Sequence, residues 1–270
     1  MSVLNFLAVN VGNTRSQVGV MIDGDVRTQQ RLSNDDPAAI VHAAIHAYTE
    51  SLARHRAPIV IASVKPALSE RLRSALRDQL KADIYLVGED LPVPIGTRLE
   101  PETLTGVDRL LNAAAAYATL QQACIVIDAG TAITVDFVDG QGTFHGGAIA
   151  PGARMQLRAL HEGTAALPEV ALAPPDQEAF GRSTSQAMLQ GVFYGVRGLI
   201  WKLVERYAEA YGAFPQVIAT GGDAELLFRG DDLINAIVPD LTLRGMAETV
   251  RSALSGANDD VPNDIDVSDR

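Results

Sequence analysis

The sequence predicts an α/β protein made of two similar halves, and three observations carry that expectation. Short apolar strands alternate with amphipathic helices along most of the chain, the signature of α/β folds. A strand-and-turn pattern occurs twice, at Val9-Asn10-Val11-Gly12-Asn13-Thr14 and at Val126-Ile127-Asp128-Ala129-Gly130-Thr131. The 270 residues, 47% apolar and 20% charged, suffice for two modest hydrophobic cores.

Taken in order, residues 3–9 alternate into a strand, Gly12-Asn13-Thr14 turns the chain, and Ser16 to Met21 returns as the second arm of a hairpin. Asp23-Gly24-Asp25 turns it again. Asp36 followed by Pro37 is a helix start, and Ile40, Val41, Ala44, Ile45 and Tyr48 then recur at helical spacing. A buried strand at 59–62, a helix at 66–82 and a strand at 84–87 complete this run. After a proline-containing connection at 92–106, residues 108–121 form an Ala- and Leu-rich helix. The opening pattern then returns, with Asn10 aligned on Asp128 and Gly12 on Gly130. Helices at 183–211, a strand at 217–219 ending in Thr220-Gly221-Gly222, and a helix at 245–256 follow. The repeat divides the chain into residues 1–119 and 120–256, with an acidic tail at 257–270 expected to be disordered.

Composition excludes several function classes. The net charge of −11 disfavours nucleic acid or an anionic membrane as the main partner. No apolar stretch approaches the length of a membrane span, and the N-terminus is expected to carry no signal peptide. One cysteine, Cys124, permits no disulfide within the chain and reads as a buried core thiol. With only Lys65, Lys81 and Lys202 as lysines, an anionic substrate must be held by backbone N–H groups, an arginine or a metal ion.

The duplicated turn is the leading candidate for chemistry, because glycine lets N–H groups approach a phosphate while Thr and Asx side chains add hydrogen bonds. An Asx turn in a hairpin also explains each copy without any ligand. Duplication, with a third glycine turn at Thr220-Gly221-Gly222-Asp223, keeps both readings open. In Gly106-Val107-Asp108-Arg109, Asp108 suits the first turn of a helix on electrostatic grounds alone. That capping reading is the one spacing favours; the alternative is that Asp108 takes a proton from a hydroxyl while Arg109 pairs with a substrate carboxylate. His42 and His46 read as an ordinary helical pair, and His161-Glu162 lacks the second histidine of a zinc helix. Asp139-Gly140 reads as a hairpin turn. Gly146 to Gly152 is either a loop close to a ligand or a strand between turns, and Trp201 and Tyr207 fit a helix packing face, with a shared interface as the alternative.

Together these segments resemble the type III pantothenate kinases over residues 3 to 250. The resemblance lies in Val11-Gly12-Asn13-Thr14, Gly106-Val107-Asp108-Arg109, Asp128-Ala129-Gly130-Thr131-Ala132 and the Gly147 to Gly152 loop. It continues through Ala159 to Pro168, Gly181-Arg182-Ser183-Thr184 and Thr220-Gly221-Gly222. It implies two RNase H-like, actin-like ATPase domains with a duplicated core and an interdomain nucleotide cleft, in a cytoplasmic homodimer. The implied reaction moves the ATP γ-phosphate to the primary hydroxyl of pantothenate at the first step of coenzyme A synthesis. By the same resemblance Asp108 is the general base, and Gly106, Val107, Asp108, Arg109 and Thr184 line the pantothenate site. Asn10, Val11, Gly12, Asn13, Thr14, Arg15, Ser16 and Gln17, with Gly130 and Thr131, hold ATP. Asp128 binds a potassium or ammonium ion, and Mg²⁺ accompanies the nucleotide.

Two departures qualify the match. Asn10 stands where the family carries Asp, keeping an oxygen but losing a charge that would help hold Mg²⁺. Arg98-Leu99-Glu100-Pro101 stands where an aromatic is expected, with one extra residue before Gly106. A catalytically silent nucleotide-binding regulator and a kinase of another small hydroxy acid are therefore the alternatives.

Overall fold

Short buried runs in the first ninety residues build a five-stranded sheet from β1 (Phe6–Val11), β2 (Arg15–Ile22), β3 (Asp25–Ser33), β4 (Ile59–Ser63) and β5 (Ile84–Leu86). Its order is β3-β2-β1-β4-β5, with β1 antiparallel to β2 and parallel to β4. The structure, a computed structural model, describes residues 4–259. Helix α1 (Pro37–Ser51) starts where Asp36 accepts a hydrogen bond from the Ala39 N–H at 3.0 Å, with Pro37 in its first turn. It buries Ile40, Ala44 and Tyr48, and α2 (Pro66–Gln79) buries Leu68, Leu72 and Leu76, against Leu7, Val9 and Val11. Each such side chain contributes about 1.5–3 kcal/mol of burial free energy.

A second sheet repeats the plan. Its strands are β6 (Gly96–Thr97), β7 (Cys124–Ala129), β8 (Ala132–Val138), β9 (Thr143–Pro151), β10 (Gln216–Thr220) and β11 (Ala236–Ile237), in the order β11-β10-β7-β8-β9-β6. Without β6 this is the first sheet's order over again, with β7 antiparallel to β8 and parallel to β10. The sequence repeat is therefore a structural repeat. Asn10 pairs across to Ala62 on β4 as Asp128 pairs to Thr220 on β10. On one face α5 (Thr184–Tyr211) packs Val192, Val196 and Ile200 onto Ile125, Ile127 and Val135. On the other, α3 (Val107–Leu120) packs Ala113 and Ala116 onto Cys124, Val126, Val138 and Phe144. Helices α4 (Ala153–Glu162), α6 (Ala224–Phe228) and α7 (Leu241–Asp259) complete the fold.

The chain divides into two compact units, one of residues up to Pro94 together with those from Met246, the other Ile95–Gly245. This differs from the expected division after residue 119, because the apolar face of α3 is buried on the second sheet. The final helix begins at Leu241 and runs to Asp259, so the first three residues of the expected acidic tail are helical; residues 260–270 lie outside the described part. Gly146 to Pro151 belongs to strand β9. A Cβ on Gly147 would lie 1.9 Å from the Val135 carbonyl oxygen, so glycine serves the close approach of β9 to β8 where their antiparallel register shifts.

Candidate active site

In the first unit the β1–β2 turn is held from several sides. The Gly12 N–H donates to the Arg15 carbonyl at 3.1 Å. Asn34 braces the turn: its Nδ2 donates to the Gly12 carbonyl at 2.8 Å, its Oδ1 accepts from the Ser16 hydroxyl at 2.7 Å, and its N–H donates to the Thr14 carbonyl at 3.0 Å. Asn10 is half-buried, Ser16 and Gln17 are buried, and Asn13, Thr14 and Arg15 are exposed. These bonds hold the turn in one shape.

In the second unit two periodicities converge. Strand alternation turns Asp128 and Asp136 to the α3 face of the sheet, and helical spacing sets Arg109 and Asn112 one turn apart on α3. Arg109 grips the buried Asp136 in a fork, its Nε donating to both carboxylate oxygens at 3.1 Å, with a further contact from the terminal nitrogen. Its guanidinium carbon lies 5.5 Å from the centroid of the Phe144 ring. Asn112 donates to Asp128 Oδ2 at 3.1 Å and accepts from the Thr242 hydroxyl at 2.8 Å. Gly106 caps α3, and beside it the buried hydroxyl of Thr105 has no hydrogen-bond partner in the protein.

Electrostatics follow from this packing. Burial pushes the Asp108 carboxyl above its ordinary value, against the pull of the Arg109 N–H, which donates to Asp108 Oδ1 at 2.9 Å, and of the Arg109 charge. Burial alone would lower Arg109, but the hydrogen bonds and charge of Asp136 hold its proton more firmly. The thiol of Cys124 is driven by burial to about 12, which makes it inert as a nucleophile.

Glycines let three turns meet around Asp128. Gly221, at φ +99°, would place a Cβ 2.5 Å from Asp128 Oδ1 and 2.4 Å from the Ala129 carbonyl oxygen. A Cβ on Gly152 would lie 2.1 Å from the Gly130 carbonyl oxygen, and the Gly152 N–H donates to the Thr131 carbonyl at 3.0 Å. Asp223, buried and paired with Arg154 at 2.9 Å, donates its N–H to the Ala129 carbonyl at 2.9 Å. Gly130 and Thr131 are thus set beside Asp128, as the sequence repeat suggests.

Thr184 lies elsewhere in this unit. It opens α5 behind the Ser183 cap and lines a groove of about 690 Å³ with Gln156, Leu160 and Thr164 from the α4 side and Met188 and Val192 of α5. Leu99, standing where an aromatic was expected, packs into the α3 cluster, and a Cβ on Gly146 would touch it at 3.1 Å. Trp201 is 51% exposed and so does not serve the helix packing face; Tyr207 does, tilted against Phe137 at 6.4 Å between ring centroids. His42 and His46 are exposed on α1, and among the described residues no group of three or more His, Cys, Asp or Glu could hold a metal ion. Sequence reasoning missed Asp136, Asn112 and Asn34. The alternation Thr134, Asp136, Val138, in phase with Asp128 across the hairpin, carried the signal for Asp136.

The family model of type III pantothenate kinases matches residues 6–206. The chain belongs to the type III pantothenate kinase family. A type III pantothenate kinase of Rhodospirillum rubrum is 46% identical over 188 residues, 69% of this chain and 73% of that protein. One from Paramagnetospirillum magneticum is 39% identical over 252 residues, 91% of this chain and 96% of the relative. Among solved structures, a Campylobacter jejuni protein assigned to the Baf family of transcriptional activators matches with a TM-score of 0.61 at 22% identity, covering 92% of this chain and 99% of its own. MreB 5 of Spiroplasma citri bound to AMPPNP matches with a TM-score of 0.51 at 10% identity, covering 94% and 98%. At these identities the likeness is one of fold, which is the two-sheet, actin-like α/β fold expected of a type III pantothenate kinase. It lends no weight to the silent-regulator alternative.

Proposed function

We propose that the protein transfers the γ-phosphate of ATP to the primary hydroxyl of pantothenate, giving 4′-phosphopantothenate and ADP. The observation that carries this reading is the α3 start, where a half-buried carboxylate of raised proton affinity adjoins an arginine locked by a second carboxylate. Phosphoryl transfer asks mainly for positioning and charge stabilisation. Asp108 accepts the proton as the hydroxyl oxygen bonds to the γ-phosphorus and the bond to the ADP oxygen breaks. Arg109 keeps N–H donors beyond those given to Asp136, and these suit the substrate carboxylate. The unpaired Thr105 hydroxyl supplies a further polar group for the same ligand.

ATP is assigned to residues 10–17 and to Gly130 and Thr131, where backbone N–H groups serve in place of lysines. Asp128, a carboxylate beside the Gly130 and Gly221 turns, is assigned to a monovalent cation such as K⁺ or NH₄⁺, which would offset phosphate charge there. Asn10 brings a neutral oxygen, so Mg²⁺ would be carried largely by the phosphates and water. Homodimerisation is assigned to α5, where Gly191, Gly195 and Gly198 leave open space beside Tyr194, 58% exposed, and Trp201. The enzyme is assigned to the cytoplasm; among the described residues no helix is long and apolar enough to cross a membrane.

The test is incubation of the purified protein with ATP, Mg²⁺, K⁺ and pantothenate, with phosphopantothenate measured by mass spectrometry. Product formation that Asp108→Asn abolishes, with nucleotide affinity retained, is expected. Absence of product from the unaltered protein overturns the activity, and normal turnover by Asp108→Asn overturns the role of Asp108.

A further inference from the structure

Three features of the first unit bring a cation to the phosphate turn. The parallel register ends at Val11 opposite Ser63, and the Val64 N–H donates to the Val11 carbonyl at 3.0 Å, which carries the chain after β4 abreast of Gly12 and Asn13. There the Lys65 N–H donates to the Ser63 hydroxyl at 2.9 Å, and Pro66 opens α2 directly behind it. From this anchored backbone the Lys65 ammonium reaches the Asn13 carbonyl at 3.1 Å.

We propose that Lys65 is a binding residue for the phosphate chain of the nucleotide held at the Gly12–Ser16 turn, which rests on the assignment of ATP to that turn. An ammonium has three N–H donors and the Asn13 carbonyl takes one, leaving two for phosphate oxygens. Among the described residues no carboxylate is in an ion pair with it, whereas Lys202 is paired with Glu205 at 2.6 Å. In a chain of net charge −11 with three lysines, an exposed ammonium against an anion-shaped turn is a local exception to a repulsive field. It also offsets the chemistry of Asn10. That residue brings no negative charge to recruit a divalent cation, and a fixed positive charge one strand away supplies part of the neutralisation. Lysine serves such sites as a point charge.

The experiment is isothermal titration calorimetry with AMPPNP and with AMP, on the unaltered protein, Lys65→Gln and Lys65→Arg, at two salt concentrations. Glutamine keeps a donor for the Asn13 carbonyl and removes the charge. Lys65→Gln is expected to weaken AMPPNP roughly tenfold or more, the effect of losing a charged hydrogen bond. AMP should change little, the salt dependence of AMPPNP binding should flatten, and Lys65→Arg should recover most of the loss. Equal affinity in Lys65→Gln and the unaltered protein overturns the proposal. So does an equal loss for AMP and AMPPNP, which would make Lys65 a brace for the turn. If the unaltered protein binds no AMPPNP, the assignment of ATP fails and the proposal falls with it.

Discussion

Asp108, half-buried at the start of α3, and Asp136, buried on β8, both have their proton affinity raised by burial, yet replacing them has opposite consequences. The proton affinity of Asp108 is raised in the folded protein, so the stability it contributes is complete below its unfolded pKa and is lost as pH rises through the folded value. At neutral pH its charge is a cost. Asp108→Asn should therefore raise the melting temperature by roughly 2–4 °C, for about 1 kcal/mol, while turnover disappears. In Asp136→Asn the Arg109 charge is left in a site where its side chain is 15% exposed. Losing one partner of a buried pair costs about 3–5 kcal/mol, so this variant should melt well below the parent. Thermal denaturation of the two side by side checks both signs. The raised proton affinity also sets the acid limb of the rate profile: kcat/KM should fall as pH drops through a value above that of an ordinary aspartate, and a limb at or below the ordinary value would contradict it.

At the scale of elements, the clamp on the Gly130-Thr131 turn depends on Gly152, the cap of α4. An alanine there meets the Gly130 carbonyl oxygen at 2.1 Å, a backbone atom with no rotamer to yield. Gly152→Ala should cost about 1–3 kcal/mol by overpacking and should lower kcat/KM for ATP, read by chemical denaturation and steady-state kinetics. This clamp was half legible in the sequence. The strands and long helices could be read because apolar residues recur with the period of each element, and the repeated turn marked Asp128 and Gly130. What periodicity does not encode is the partner. The Ala and Leu stripe of α3 announces burial without saying against which sheet, so the expected boundary fell after residue 119. Asp136 meets Arg109 across 27 residues, a contact fixed by strand register. The short strands β6 and β11 and the five-residue α6 are built by tertiary contacts and leave almost no local pattern.

At the scale of the whole molecule, the longest helix, α5, leaves one stripe uncovered by the described residues. Gly191, Gly195 and Gly198 would meet nothing with an added Cβ, while Tyr194 and Trp201 stand more than half exposed beside them. If two copies associate there, Gly195→Glu should turn a dimer of the unaltered protein into a monomer, as seen by light scattering after size exclusion. A dimer that survives this change places its interface elsewhere. The structural duplication is not chemically symmetric: the first copy of the turn carries the neutral Asn10, the second Asp128 with its helix partner Asn112. Finally, the only sulfhydryl in the chain is sealed inside β7 at 0% exposure. The molecule is in effect blank to maleimide reagents while folded, and a cysteine introduced at any exposed site would be a single address for a fluorophore or spin label.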